Sequence, residues 1–348
     1  MRFVEGTVGV SRRRLLLAAA GTGSLAALPF RPARAAEPIT VRLDWSTHAL
    51  HTAFFVAAAK GWFRQADLDV TIEDGNGSAT TANLVGNGQF DVGLAALAPM
   101  ALGRAKGLKI TSVAGFVRKS DTGFLVPRDS GWTKPKDLIG KKVVYTAGSL
   151  EGPFMAPFFK KNGIKLSELD LLNVDASAKA SMYATGKADS VVTAVPFFLP
   201  LMEDKRPSKG VLFADFGLNL PGAGLVVNTD ILARRGDAIR RFTSVMCGAW
   251  SYVFNGHQAE AVQVTLAARP QSAENAHVMR AELDEYQPYF YTAATKSLGI
   301  GPQSDVDWAA TIADMVDANT IPTGFKPSDF FTNDYIDPAL VKKISGIG

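Results

Sequence analysis

Residues 39–43 alternate apolar and polar, with Val41 and Leu43 flanking Arg42, as a half-buried strand does. The chain then turns polar at Asp44-Trp45-Ser46-Thr47-His48 and runs small and apolar from Thr52 to Phe63. That run reads as a buried helix closed at Lys60-Gly61, a basic residue followed by glycine. The same alternation recurs: a strand at 68–72, a glycine-rich turn at 73–78 and a helix to about Asn87. A turn at 88–91 leads into a short strand ending near Leu94, followed by a helix over 95–107 and a strand over 110–116. Strands that alternate with helices predict a mostly parallel sheet covered on its faces.

A strand at 124–127 leads out of this unit, and a second series begins at Gly140. It has a strand to Tyr145, the turn Ala147-Gly148-Ser149 and a helix to Asn162. A strand near 169–174, a helix over 176–185 and a strand over 189–195 follow. The apolar strand 224–228 leads back, and from Thr229 the chain reads as helical. The pattern predicts an α/β fold of two domains. Residues 36–126 and 226–348 form a discontinuous first domain with a helical C-terminal part, and 127–225 form an inserted second domain. Two chain crossings make a hinge, and two facing sets of strand ends make a cleft for a small-molecule ligand.

The chain has 348 residues, 47% hydrophobic and 20% charged, a soluble globular composition. Residues 1–35 are expected to be an export signal rather than part of the fold. Adjacent arginines Arg12, Arg13 and Arg14 precede the apolar run 15–28, and Ala33-Arg34-Ala35 offers a cleavage site before Ala36. The arginines fit the twin-arginine route to the periplasm, with an ordinary secretory signal as the alternative. The run is too short for a membrane span of about 20 residues. Of 37 basic and 33 acidic side chains, six and one lie in this segment, leaving 31 and 32. The remainder is thus nearly neutral, with no basic face to imply nucleic acid. Cys247 is the single cysteine and sits in an apolar helical stretch, so it is expected in the core. No zinc-type spacing and no cofactor fingerprint appear.

The candidate ligand residues cluster where strands end. Trp45 offers a stacking face, worth about 0.5–1.5 kcal/mol beyond burial; the alternative is a plug at the sheet edge. Asp44 either accepts from a ligand N–H or caps the next turn. His51 either donates into the cleft or serves its own helix terminus, and with His48 it lacks a third metal ligand. Ser78 can cap a helix or face the ligand, and Phe116 is a second aromatic wall. In the middle domain, Gly148-Ser149 opens a helix whose free N–H groups attract an anion or a carbonyl oxygen. Glu151 in the same turn would repel a strong anion. Asp175 and Thr193 end strands on that side, and Phe197 can close over a ring. No nucleophile, base and orienting group fall into a catalytic order, so no catalytic residue and no enzymatic activity are expected.

Several pieces in order resemble a known family: Leu43-Asp44-Trp45 with His51, Lys60-Gly61-Trp62-Phe63, Leu68-Asp69-Val70, residues 88–93 (GQFDVG), Leu138-Ile139-Gly140-Lys141-Lys142-Val143 and Gly186-Lys187-Ala188-Asp189. Over residues 39–323 the chain resembles substrate-binding proteins of ABC importers, the group that includes sulfonate binders and thiamine-pyrimidine-precursor binders. The resemblance implies a bilobal periplasmic-binding-protein-like fold of type II. It implies a monomer that delivers a small flat heteroaromatic solute, such as a thiamine pyrimidine precursor, to an ABC permease in the inner membrane. The alternatives are a binder of sulfonates or other small organic acids, or a pyrimidine-synthesis enzyme on the same fold. Two departures stand out. Residues 218–224 lack the cysteines of the synthase branch, and Val195 stands where the pyrimidine branch often carries an acidic or amide residue.

Overall fold

The computed structural model describes residues 36–271 and 275–346; the proposed export segment lies outside them. Among the described residues ten strands make two five-stranded sheets. They are β1 (Glu37–Arg42), β2 (Leu68–Glu73), β3 (Val92–Ala96), β4 (Ile110–Gly115) and β5 (Thr122–Pro127), then β6 (Lys142–Tyr145), β7 (Asp170–Asn173), β8 (Ser190–Ala194), β9 (Ser208–Leu212) and β10 (Ala223–Asn228). The first sheet has the order β2-β1-β3-β10-β4 and the second β7-β6-β8-β5-β9.

The two orders are one pattern used twice. In each sheet four strands run in one direction through helical crossovers, and the fifth lies antiparallel between two of them: β10 between β3 and β4, β5 between β8 and β9. That antiparallel strand is the one the chain delivers on arriving from the other sheet. The sheets are therefore mixed. Strand β5 begins at Thr122 and pairs in the second sheet, whereas the sequence pattern kept residues up to 126 with the first. Its opening Thr122-Gly123 is not apolar, so the alternation becomes visible only at Phe124. The first crossing accordingly spans residues 116–121 and the second 213–222. Ser120 Oγ accepts the Leu220 N–H at 3.2 Å, tying one crossing to the other.

Burial follows strand position. β3, β4, β8 and β10 are buried along their whole length, whereas β7, at an edge, has no buried residue. Central strands covered on both faces read as continuous apolar runs. The helix Thr52–Ala59 buries Thr52 through Ala57 against the helix Thr229–Tyr252, where Phe54 and Phe63 meet Phe242. Full burial of one such phenylalanine is worth about 1.5–3 kcal/mol. The helix stops at Ala59, and Gly61 takes a left-handed φ of 69° before the short helix Trp62–Gln65. Cys247 is buried on the same long helix, and burial pushes its thiol up to about 12.

Candidate functional site

The carboxyl ends of β1, β3 and β8 converge on a cavity between the two sheets, as ligand sites in open α/β sheets do. Asp44, Trp45, His48, Ser78 and Ala96 line it from the first sheet. Ser149, Lys179, Thr193, Phe197 and Phe198 line it from the second, with Asp121 from the first crossing and Ala223 from the start of β10.

The Asp44 carboxylate is held on both oxygens. His51 Nε2 lies 2.9 Å from Oδ1, and Ser78 Oγ donates to Oδ2 at 3.2 Å. The other imidazole nitrogen, Nδ1, accepts the His48 N–H at 3.1 Å. With Nδ1 accepting, Nε2 carries the proton and donates to Asp44. Ser78 Oγ in turn accepts the Ala96 N–H at 3.0 Å, and the Gly75 N–H donates to the Trp45 carbonyl at 2.9 Å. His51 is fully buried and absent from the cavity lining. Its chemistry is spent on holding Asp44, so it braces the wall instead of donating into the cleft as one sequence reading expected.

Aromatic groups form the rest of that wall. The His48 ring packs 4.4 Å from Phe197 and 4.3 Å, edge-on, from His51. Burial, reinforced by His51, holds its pKa well below the usual 6.5, so it packs as a neutral ring; its Nδ1 has no hydrogen-bond partner among the described residues. Trp45 is half-buried and faces both the cavity and an outer groove. Asp44, His48 and His51 bring donor atoms within 4.8 Å of one another. Both His51 nitrogens are already in hydrogen bonds, so a cation there would have to displace one of them.

On the opposite wall, Lys179 and Glu151 form a fully buried ion pair. Burial lowers the Lys179 pKa, and Glu151 opposes the shift. The Lys179 ammonium also stands 5.6 Å from the Trp45 ring centre and 5.7 Å from that of Phe198. Glu151 Oε1 accepts the Thr146 N–H at 3.2 Å, and the Ser149 N–H donates to the Thr146 carbonyl at 3.0 Å. The Ser149 N–H that the sequence offered to an anion is therefore spent on a main-chain carbonyl, and the Glu151 carboxylate takes the Thr146 N–H at the start of the turn. Lys179 carried no signal in the sequence: it lies mid-helix in Ala176–Ala184, and only tertiary packing buries it.

Asp121 is a second residue that the sequence did not reveal. It ends the first crossing, is 3% exposed and lines the cavity. Its main-chain carbonyl accepts the Val195 N–H at 2.8 Å, while its Oδ1 has no hydrogen-bond partner among the described residues. Burial pushes its carboxyl up to about 7, with the Asp44 carboxylate adding to the rise.

Asp44, Trp45, Ser78, Ser149, Thr193 and Phe197 thus come together at one cavity. Phe116 does not: it is buried against Trp250 and Phe290, with ring centres 6.1 and 6.5 Å away, and belongs to the core. Asp175 is exposed on the outer groove, where Gly148 also lies. Val195 starts the helix Val195–Met202, with Pro196 in its first turn. Its side chain packs over Gly123 and Gly210, so this position turns away from the cavity whatever its chemistry.

The cavity holds about 30 Å³, room for a water or two, whereas the outer groove holds about 1160 Å³. Its rim is closed by the Thr80 N–H, which donates to the Gly148 carbonyl at 3.2 Å across the two sheets. Gly77, at φ 150°, makes that approach possible: a Cβ there would lie 2.1 Å from the Gly148 carbonyl oxygen. A ring therefore enters only when these two walls part.

The model of the family described as NMT1/THI5 like matches residues 48–261. Over 158 residues the chain is 29% identical to the formylaminopyrimidine-binding protein of Halalkalibacterium halodurans, covering 45% of this chain and 48% of that one. Over 110 residues it is 33% identical to a 4-amino-5-hydroxymethyl-2-methylpyrimidine phosphate synthase of Saccharomyces cerevisiae, covering 31% and 32%. The aligned stretch thus spans about half the length of the first relative and a third of the second. Among solved structures, the alkanesulfonate-binding protein SsuA of Xanthomonas axonopodis pv. citri, bound to MOPS, superimposes with a TM-score of 0.65. It is 16% identical, over 86% of this chain and 99% of that one; the likeness is one of fold.

Proposed function

The chain belongs to the NMT1/THI5-like family, and from that premise we propose that it is the solute-binding component of an ABC import system. It takes a small flat heteroaromatic solute, of the thiamine pyrimidine-precursor kind, between its two sheets. The observation that carries this reading is the cavity itself. Trp45, His48, Phe197 and Phe198 wall it, and Asp44 is braced by His51 and Ser78. Flat aromatic faces with a few fixed polar groups are what a ring-shaped ligand requires.

Two features argue against the other readings. A sulfonate needs an available cation, but Lys179 is neutralised by Glu151, and the Asp44 and Asp121 carboxylates face the same space. A synthase needs reacting groups in series. Here Ser78 donates to Asp44 rather than to a histidine, and both ring nitrogens of His51 are engaged. Among the described residues the Ser78 hydroxyl therefore has no histidine base of the kind a serine nucleophile uses.

In this reading the sheets and their helices, joined by the crossings at 116–121 and 213–222, move as two lobes. Ligand binds the closed form better and shifts the population toward it. A membrane permease reads that closure, and the protein works as a monomer in the periplasm after loss of residues 1–35. The test is native mass spectrometry of protein recovered from the periplasm. The expected result is a retained small molecule of pyrimidine type, released unchanged on denaturation. A retained sulfonate, or conversion of an added pyrimidine to product, would overturn the reading.

A further inference from the structure

We infer that Asp121 is the residue that selects the ligand, by accepting adjacent N–H donors from the edge of the bound ring. The inference rests on the ring-binding reading above and concerns which ring edge the cavity takes.

Asp121 is 97% removed from solvent (3% exposed), and its Oδ1 has no protein partner. The donors around it are committed elsewhere. His51 and Ser78 serve Asp44, and Lys179 serves Glu151. The charged and titratable groups around it are Asp44 from the end of β1, His48, which burial keeps neutral, Lys179 and Tyr286 on the cavity wall, and Tyr289 from the turn Gln287–Phe290; the cation, Lys179, is paired with Glu151. Its backbone is pinned, because the Asp121 carbonyl accepts the Val195 N–H and Thr122 is already paired with Ala194 in β5 and β8. Gly222, on the second crossing, packs against the carboxylate; a Cβ there would come to 3.0 Å from Oδ1.

The main-chain N–H of Asp121 itself favours the charged carboxylate, but a buried carboxylate oxygen that meets no donor still destabilises the fold in which it sits. Such groups persist where a ligand completes them. The complement of a carboxyl group is two parallel hydrogen bonds, one to an exocyclic amine and one to the neighbouring ring nitrogen. The proton of the second bond is held by either partner. A sulfonate or carboxylate offers only acceptors, so it meets Asp121 as a like charge. The carboxyl, pushed up to about 7 by burial, is able to supply or release that proton near neutrality.

The test is a calorimetric comparison of two rings of one shape, 4-amino-2,5-dimethylpyrimidine and 2,4,5-trimethylpyrimidine. It uses the full processed chain and the variants Asp121→Leu and Asp121→Asn. Wild type is expected to prefer the amine by about tenfold or more, because an unmet buried acceptor rejects the ring without a donor. Asp121→Leu is expected to bring the two rings within about threefold while still binding trimethylpyrimidine. Asp121→Asn keeps an acceptor oxygen and is expected to retain part of the preference. A merely structural role would not lower the affinity of one ring only, nor rank leucine below asparagine for it. An amine preference that survives in Asp121→Leu overturns the inference and leaves ring binding intact. If neither ring binds wild type, the ring-binding reading falls, and the inference with it.

Discussion

Asp44 and Asp121 face the same cavity and are built in opposite ways. Asp44 has a donor on each oxygen, His51 and Ser78, and each donor is itself held by a main-chain N–H. Asp121 is more deeply buried and has an oxygen with no partner at all. A carboxylate that the protein has already satisfied is scaffolding: it fixes Trp45 and the mouth of the strand. A carboxylate left incomplete is an invitation to a ligand. The Glu151–Lys179 pair on the facing wall lies between the two, because its charges cancel one another and leave no net charge for an anion.

The largest effect is expected at that pair. Lys179→Met removes one partner of a buried ion pair and should lower stability to urea by about 3–5 kcal/mol. A loss below about 1 kcal/mol would mean that the pair is solvated in solution. Next comes the pH dependence of the ligand-free protein. Asp121 has its carboxyl raised from 3.8 to about 7 by burial. Its stabilising contribution is therefore complete below about pH 4 and is lost as pH rises through 7, at up to about 1.4 kcal/mol per pH unit. His48 contributes in the opposite sense, because its lowered pKa favours the fold at higher pH. The difference between wild type and Asp121→Asn isolates the Asp121 contribution: wild type should lose stability relative to the variant between about pH 4 and 7 in thermal unfolding, and little more above pH 7. Parallel profiles would contradict the buried carboxylate.

Two smaller effects sharpen the contrast between ligand contact and support. Trp45→Ala should weaken binding of an aminopyrimidine by about 2 kcal/mol, some 30-fold, with a smaller change in Tm because Trp45 is only half-buried. Equal calorimetric affinity in mutant and wild type would remove the stacking role. Ser78→Ala takes one donor from Asp44 and should cost about 1 kcal/mol of stability, read from denaturant midpoints at constant m-value. A loss of affinity larger than that of Trp45→Ala would show that Ser78 contacts the ligand directly.

Much of this was legible in the sequence. The helix Thr52–Ala59 and its stop at Lys60-Gly61 follow from a local apolar run and a local glycine, and the strands buried on both faces announce themselves as unbroken apolar stretches. The cavity wall formed by Asp44 and Trp45 was legible because it sits where one such strand ends. The rest depends on pairing that no local pattern encodes. Lys179 looks like any mid-helix lysine until the fold sets it against Glu151, and Asp121 looks like a polar residue before a strand. Phe116 read as a wall because it follows a strand, but Trp250 and Phe290, far along the chain, close over it. Val195 drew attention as a missing acid. The structure turns its side chain into Gly123 and Gly210 and bonds its N–H to the carbonyl of Asp121, so a carboxylate from the crossing stands beside that position instead.

The central claim is that the space between the two sheets receives a flat, amine-bearing ring and not an anion. Calorimetric titration of the processed chain with an aminopyrimidine and, in parallel, with MOPS tests it directly. The account predicts saturable one-to-one binding of the pyrimidine and no heat of binding from the sulfonate; tighter binding of the sulfonate, with the pyrimidine silent, would contradict it.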